Sequence, residues 1–143
     1  MMAGLDDEPK NATPLTPAER EGLIPAYISL RGELNELEQQ NILAADRWAF
    51  ARKRNPFSEN FLLGLHRRMF GKVWRWAGKY RTTERNFGVA AYRIQSELHR
   101  VLDDAAYWIG HNTYPPDEIA VRLHHGLVCV HPFANGNGRW SRL

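Results

Sequence analysis

Twelve residues, His131-Pro132-Phe133-Ala134-Asn135-Gly136-Asn137-Gly138-Arg139-Trp140-Ser141-Arg142, concentrate the groups of this chain that can do chemistry. A histidine titrates near neutrality, so His131 can take a proton from a hydroxyl. Gly136, Asn137 and Gly138 can adopt backbone angles that turn consecutive N–H groups toward an anion. A helix starting near Gly138 would add its positive end to that attraction. Arg139 and Arg142 lie three apart, so both can share a helical face and grip phosphate oxygens. A base beside such a cradle suits proton abstraction from a hydroxyl next to a nucleotide.

The elements that must position this run can be read from caps and periodicity. Pro132 disfavours helix at His131, so a helix should deliver the chain to the histidine and stop. Phe133 is the expected anchor, burying its ring to give the loop a fixed shape. Upstream, Thr16-Pro17-Ala18-Glu19 is a helix opening with a cap, a first-turn proline and an acidic residue, and this helix should end near Ile24-Pro25. Apolar residues at Leu30, Leu34, Leu37, Ile42, Ala45, Trp48 and Ala49 follow a helical period up to about Ala51. Asn55-Pro56 breaks it, and Ser58 caps a helix whose inner face carries Phe61, Leu62, Leu65, Met69, Phe70 and Val73. From Trp76 to Tyr92 the composition favours extended structure, with turn chemistry at Asn86 and Gly88, which predicts a small β-hairpin or irregular flap. Helical spacing returns from Ile94 to Ile109, and Pro116-Asp117-Glu118 opens a helix running to Val130. The fold class is mainly α, a helical bundle with one small hairpin inserted.

Composition bounds the partners. The 143 residues fit one domain able to bury a core, with 43% hydrophobic and 24% charged residues. A net charge of +3 suits anionic ligands, but no dense basic block calls for direct nucleic-acid binding. Cys129 is the only cysteine, which excludes an internal disulfide and fits a reducing cytoplasm. No apolar run reaches the ~18 residues of a membrane span. Residues 1–15, with acidic Asp6-Asp7-Glu8, read as a tail without signal-peptide character.

The run from His131 to Arg142 resembles, at every fixed position, the signature His-Pro-Phe-x-(Asp/Glu/Asn)-Gly-Asn-Gly-Arg-x-x-Arg of the Fic/Doc family. Leu37-Glu38-Gln39-Gln40-Asn41-Ile42 resembles the first core helix of such proteins. Trp76-Ala77-Gly78-Lys79-Tyr80-Arg81-Thr82 resembles the approach to their target-docking flap. With Glu21-Gly22-Leu23-Ile24-Pro25 and Glu33-Leu34-Asn35-Glu36, the likeness is to the mobile mystery protein B subgroup. It implies a Fic domain over 16–143, with N-terminal helices at 16–51, a core with flap at 58–130, an active-site loop at 131–138 and a short helix at 139–143.

The resemblance implies transfer of AMP from Mg-ATP to a Ser, Thr or Tyr hydroxyl of a protein target. His131 would be the general base. Phe133, Gly136, Asn137, Gly138, Arg139 and Arg142 would form the nucleotide site, with Arg139 also catalytic. Asn135 would occupy the Mg²⁺ position, where an acidic residue is usual; an amide oxygen lacks the charge that a hard cation favours. Thr82, Thr83, Asn86, Gly88 and Tyr92 would line the docking flap. Family members are held off by a glutamate that pairs with the second arginine, and Glu21 and Glu33 are the imperfect candidates here. The resemblance also implies a bacterial setting beside a small helix-turn-helix partner in a toxin-like pair. It implies a longer helix after the loop than the residues to Leu143 can form, so the chain is expected to be truncated there. Two alternatives follow: a silent module that binds nucleotide or protein, and transfer of phosphate or phosphocholine on the same fold.

Elsewhere the ordinary readings prevail. One of His124 and His125 should face the core and the other solvent, without a metal site. Cys129 reads as a buried filler. Trp74, Trp76 and Trp108 read as core or flap-supporting aromatics, and Glu33, Glu36 and Glu38 as a solvated helix face. Arg52-Lys53-Arg54 offsets a helix dipole.

Overall fold

The computed structural model describes residues 14–25, 27–28, 30–85 and 87–143. The expected tail reaches into them only at Pro14 and Leu15, and Leu15 is not tail-like: it is 7% exposed and joins the core. Among the described residues six α-helices and one 3-10 turn make up the regular structure.

Helix α1, Pro17–Arg20, opens with a complete capping box: Glu19 N–H donates to Thr16 Oγ1 at 3.2 Å, and Thr16 N–H donates to Glu19 Oε1 at 2.9 Å. It stops four residues short of the expected Ile24, because the chain leaves the helix to pair elsewhere. Leu23 and Trp74 form an antiparallel bridge, Ile24 N–H donates to Val73 O at 2.8 Å, and Arg75 N–H donates to Gly22 O at 2.9 Å.

Helix α2, Arg31–Phe50, packs along α3, Glu59–Phe70, which Ser58 caps by accepting from Phe61 N–H. The inner face of α3 buries Leu62, Leu65, His66, Met69 and Phe70. Helix α4, Ile94–Gly110, packs along α5, Pro116–Val130, and α5 carries α6, Asn137–Arg142, which also touches α3. Trp140, Phe70, Phe133 and Met69 are almost fully buried where α3, the 131–136 loop and α6 meet. No helix among the described residues is long and apolar enough to cross a membrane.

The expected hairpin is not formed: among the described residues the stretch from 79 to 90 contains no strand. Its backbone bonds go to the loop and to α5 rather than across a hairpin. Arg81 N–H donates to Pro132 O at 2.8 Å and Val89 N–H to Val130 O at 3.4 Å. Within the segment it is the Arg81 side chain that takes the carbonyls of Thr83 and Val89. Backbone groups already satisfied this way have no need of a cross-strand ladder.

Candidate active site

The helix α5 ends where proline chemistry requires. His131 is its C-cap, in the left-handed region at φ 53°, ψ 62°, and its N–H donates to Leu127 O at 3.1 Å. A non-glycine residue there costs roughly 1–2 kcal/mol, so the surroundings must impose it. The imidazole is 8% exposed. Its Nε2 is buried with no hydrogen-bond partner among the described residues. The Phe87 ring meets the imidazole edge-on, with centroids 5.7 Å apart. Gly88, at φ 100°, lies so close that a β-carbon there would come within 2.7 Å of His131 Cβ. Burial, and then the charges of Arg81 and Arg85, pull the His131 pKa down to about 4, which leaves the ring neutral at pH 7. Arg85 is itself paired with the Glu19 carboxylate of α1.

Below the histidine the loop is braced from within. Phe133, fully buried, stacks on His66 with centroids 3.6 Å apart and meets Trp140 edge-on at 4.9 Å. Asn137 accepts from Phe133 N–H through Oδ1 and donates to Phe133 O through Nδ2, both at 2.9 Å. Its side chain is therefore spent on the loop itself, and only its backbone remains for an anion. Gly136 has φ 80°, and a β-carbon there would lie 2.5 Å from the Phe70 ring. Asn137, Gly138 and Arg139 precede the first bond that closes back on the loop, Trp140 N–H to Gly136 O at 2.9 Å.

His66 is a brace that the sequence reading passed over. Gly78 N–H donates to its Nδ1 at 2.9 Å, so the ring proton sits on Nε2, which donates to Asn135 O at 3.0 Å. One neutral ring thus ties the base of the flap segment to the loop. Burial drives its pKa down to about 3 despite the bond to Asn135 O. The available signal was its place on the apolar face of α3, four residues after Leu62.

The two arginines part company. Arg139 Nη1 donates to Glu38 Oε2 at 2.5 Å and Nη2 to Asn135 Oδ1 at 3.3 Å. Glu38 is 4% exposed and also accepts from Trp74 Nε1 at 2.8 Å. It is therefore a buried bridge and not part of a solvated face. The reason is register: Leu34, Glu38, Asn41 and Ala45 form the buried stripe of α2. Arg142 is exposed, and its Nε donates to Gly138 O at 3.0 Å. Among the described residues it has no ion pair. It borders a separate groove of about 660 Å³ that also has Leu62, Leu65, Leu127, Trp140 and Leu143 in its wall.

Neither expected inhibitory glutamate reaches Arg142. Glu21 is the exposed C-cap residue of α1, and Glu33 accepts from Leu30 N–H at 3.2 Å at the start of α2. Asn86 of the flap lies outside the described residues. Of the other flap candidates, Thr83 donates to Glu19 Oε2 at 3.5 Å, Gly88 packs on His131, Thr82 is exposed, and Tyr92 is 87% exposed. Cys129 is exposed beside His125 rather than buried. His124 Nδ1 hydrogen-bonds with Ser141 Oγ at 2.9 Å.

A resident Mg²⁺ does not fit these donors. Asn135 Oδ1 is a neutral oxygen already facing a guanidinium, and among the described residues no group of three or more His, Cys, Asp or Glu could hold a metal.

The sequence pattern of the Fic/DOC family matches residues 56–143, which span α3, the flap, α4, α5, the loop and α6. The chain belongs to the Fic/DOC family. Among relatives of this Fic-family chain, the protein adenylyltransferase fic-1 of Caenorhabditis elegans is 33% identical over 101 residues, 65% of this chain and 19% of the relative. The protein adenylyltransferase Fic of Drosophila grimshawi is 34% identical over 86 residues, 57% of this chain and 18% of the relative. The chain thus spans about a fifth of the length of these curated relatives. A solved fragment of Caenorhabditis elegans Fic-1 superposes with a TM-score of 0.57 at 29% identity, covering 87% of this chain and 38% of that one. The BepC protein of Bartonella tribocorum, solved with bound AMPPNP, has a TM-score of 0.66 at 19% identity over 89% of this chain and 75% of its own. That second likeness speaks for the Fic fold.

Proposed function

We propose that this Fic-family chain transfers AMP from ATP to a side-chain hydroxyl of a protein target. The observation that carries the reading is the state of His131: neutral, locked in a left-handed turn, with Nε2 lacking a partner among the described residues. A buried polar atom left unsatisfied costs about 1–3 kcal/mol, and a substrate hydroxyl would satisfy it. The adenylyltransferase names of the relatives support the same chemistry.

In the proposed step the hydroxyl oxygen attacks the α-phosphorus while its proton passes to His131. The bond from the α-phosphorus to the bridging oxygen breaks, and pyrophosphate leaves. The amides at Gly136, Asn137 and Gly138 and the Arg139 guanidinium would hold phosphate oxygens, so that catalysis rests on positioning and charge. Phe133 would keep the cradle rigid rather than touch the nucleotide. Mg²⁺ would arrive already bound to the ATP phosphates and neutralise part of their charge, with no resident site among the described residues to hold it. Gly88 and the exposed flap residues would receive the target.

The test is incubation with labelled ATP and a cell lysate. A protein band should be labelled by this chain, and His131→Ala should lower the label by roughly a hundredfold to ten-thousandfold, the usual range for loss of a general base. An undiminished band in His131→Ala would overturn the role of His131. The mass added to the modified protein separates AMP from phosphate or phosphocholine.

A second reading has its own observation. Arg139 is held by Glu38, and Arg142 faces away toward the groove, so neither is set for a triphosphate as it stands. That arrangement favours a silent module that binds nucleotide or a partner protein without transfer. Calorimetry with ATP decides between them: heat of binding without labelling supports this second reading.

A further inference from the structure

Arg81 lies outside the signature loop, at the start of the flap, and is 4% exposed. Such a guanidinium would ordinarily be expected to face a carboxylate. Here its side chain donates to carbonyl oxygens. Nε reaches His131 O at 2.6 Å, Nη1 reaches Thr83 O at 2.8 Å, and Nη2 reaches Val89 O at 2.5 Å and Val130 O at 3.4 Å. Its own N–H donates to Pro132 O at 2.8 Å. One side chain therefore spans both arms of the flap and the carbonyls on either side of the left-handed turn. A β-carbon at Gly88 would come within 2.8 Å of Nη2, so the flap closes directly over it.

We propose that Arg81 is the positioning residue of this site, clamping the strained backbone of His131 and tying the flap to the base. The planar fork suits the task, since it offers five N–H donors in fixed directions, which the single ammonium of a lysine cannot match. The clamp also acts on charge. The cations bearing on the imidazole are Arg81 and Arg85; of the carboxylates that act on Arg81, Glu84 and then Glu19, Glu19 is engaged by Arg85. Removing Arg81 therefore takes away a cation that opposes protonation, and it frees the flap that shields the ring. Both changes raise the pKa of His131 from about 4 toward its ordinary value.

This role rests on His131 being the base of the proposed transfer, yet the clamp itself can be read without turnover. The histidine ring protons are followed by NMR against pH in the wild type, Arg81→Gln and Arg81→Lys, with the His131 signal assigned by its loss in His131→Ala. Transfer is measured in parallel, and circular dichroism shows which variants fold. In Arg81→Gln the His131 titration should rise by at least one pH unit, and the acid limb of the pH–rate profile should follow it. The turnover rate should fall about tenfold to a hundredfold, as for a base misplaced by an ångström, with KM for ATP within about threefold. Arg81→Lys keeps the charge but not the fork. It should lose at least tenfold in turnover while His131 still titrates low, and it carries the test if Arg81→Gln does not fold. An unmoved titration in Arg81→Gln, or turnover within twofold of wild type in Arg81→Lys, overturns the proposal. If the wild type transfers nothing, the transfer reading fails on its own, and the NMR titration still decides whether Arg81 clamps His131.

Discussion

The two halves of the signature run are built to different standards. From His131 to Asn137 every residue but two is buried, and the loop is held from four directions: Arg81 on the backbone, His66 on Asn135, Asn137 across to Phe133, and Phe70 beneath Gly136. From Gly138 to Leu143 only Trp140 is buried, and Arg142 leans back on its own helix. Eleven residues apart, His131 is over-determined and the second arginine is nearly unconstrained. Strain explains the difference. A left-handed histidine persists only where neighbours enforce it, whereas a helical arginine needs no enforcement.

The sharpest way to break this contrast is at Gly136. Alanine there must adopt φ 80° and place its methyl on the Phe70 ring, so Gly136→Ala should cost about 3 kcal/mol in urea unfolding. A loss under 1 kcal/mol would mean that the braced half is slack. A second effect, spread over several pH units, comes from acid. His66 titrates at about 3 in the fold but near 6.5 in the unfolded chain, so between these values the unfolded state binds the extra proton. Stability contributed by the neutral ring is fully present above pH 6.5 and is lost as pH falls toward 3. One such group gives a slope of about 1.4 kcal/mol per pH unit in that window. His66→Gln should flatten this part of the stability profile; an unchanged slope would remove His66 from the account. The smallest effect belongs to the other half. Arg142→Ala should change stability by less than about 0.5 kcal/mol, and a loss matching that of Gly136→Ala would erase the comparison.

Much of this architecture was legible in the chain. Thr16 with Glu19, Ser58, and Pro116 announce helix starts because capping is a local matter, settled within four residues. Pro132 stops α5 at His131 for an equally local reason. Local propensity could not separate a hairpin from an irregular flap, because the backbone partners of this segment come from Pro132, Val130 and one arginine side chain. Glu38 was assigned to solvent because charge predicts exposure; only the approach of Trp74 and Arg139, from distant positions in the chain, makes its burial tolerable. Cys129 erred the other way, since periodicity names a face of α5 but not which part of that face is covered.

By itself, then, the sequence determined the family and most of the helices and singled out His131, because signatures, caps and periods are encoded in neighbouring residues. The tertiary structure alone decided that His131 is neutral and strained, that His66 and Arg81 hold it from outside the signature, and that Arg139 rather than Arg142 meets a carboxylate. Those properties depend on burial and on partners brought together by folding, and neither is written at any single position.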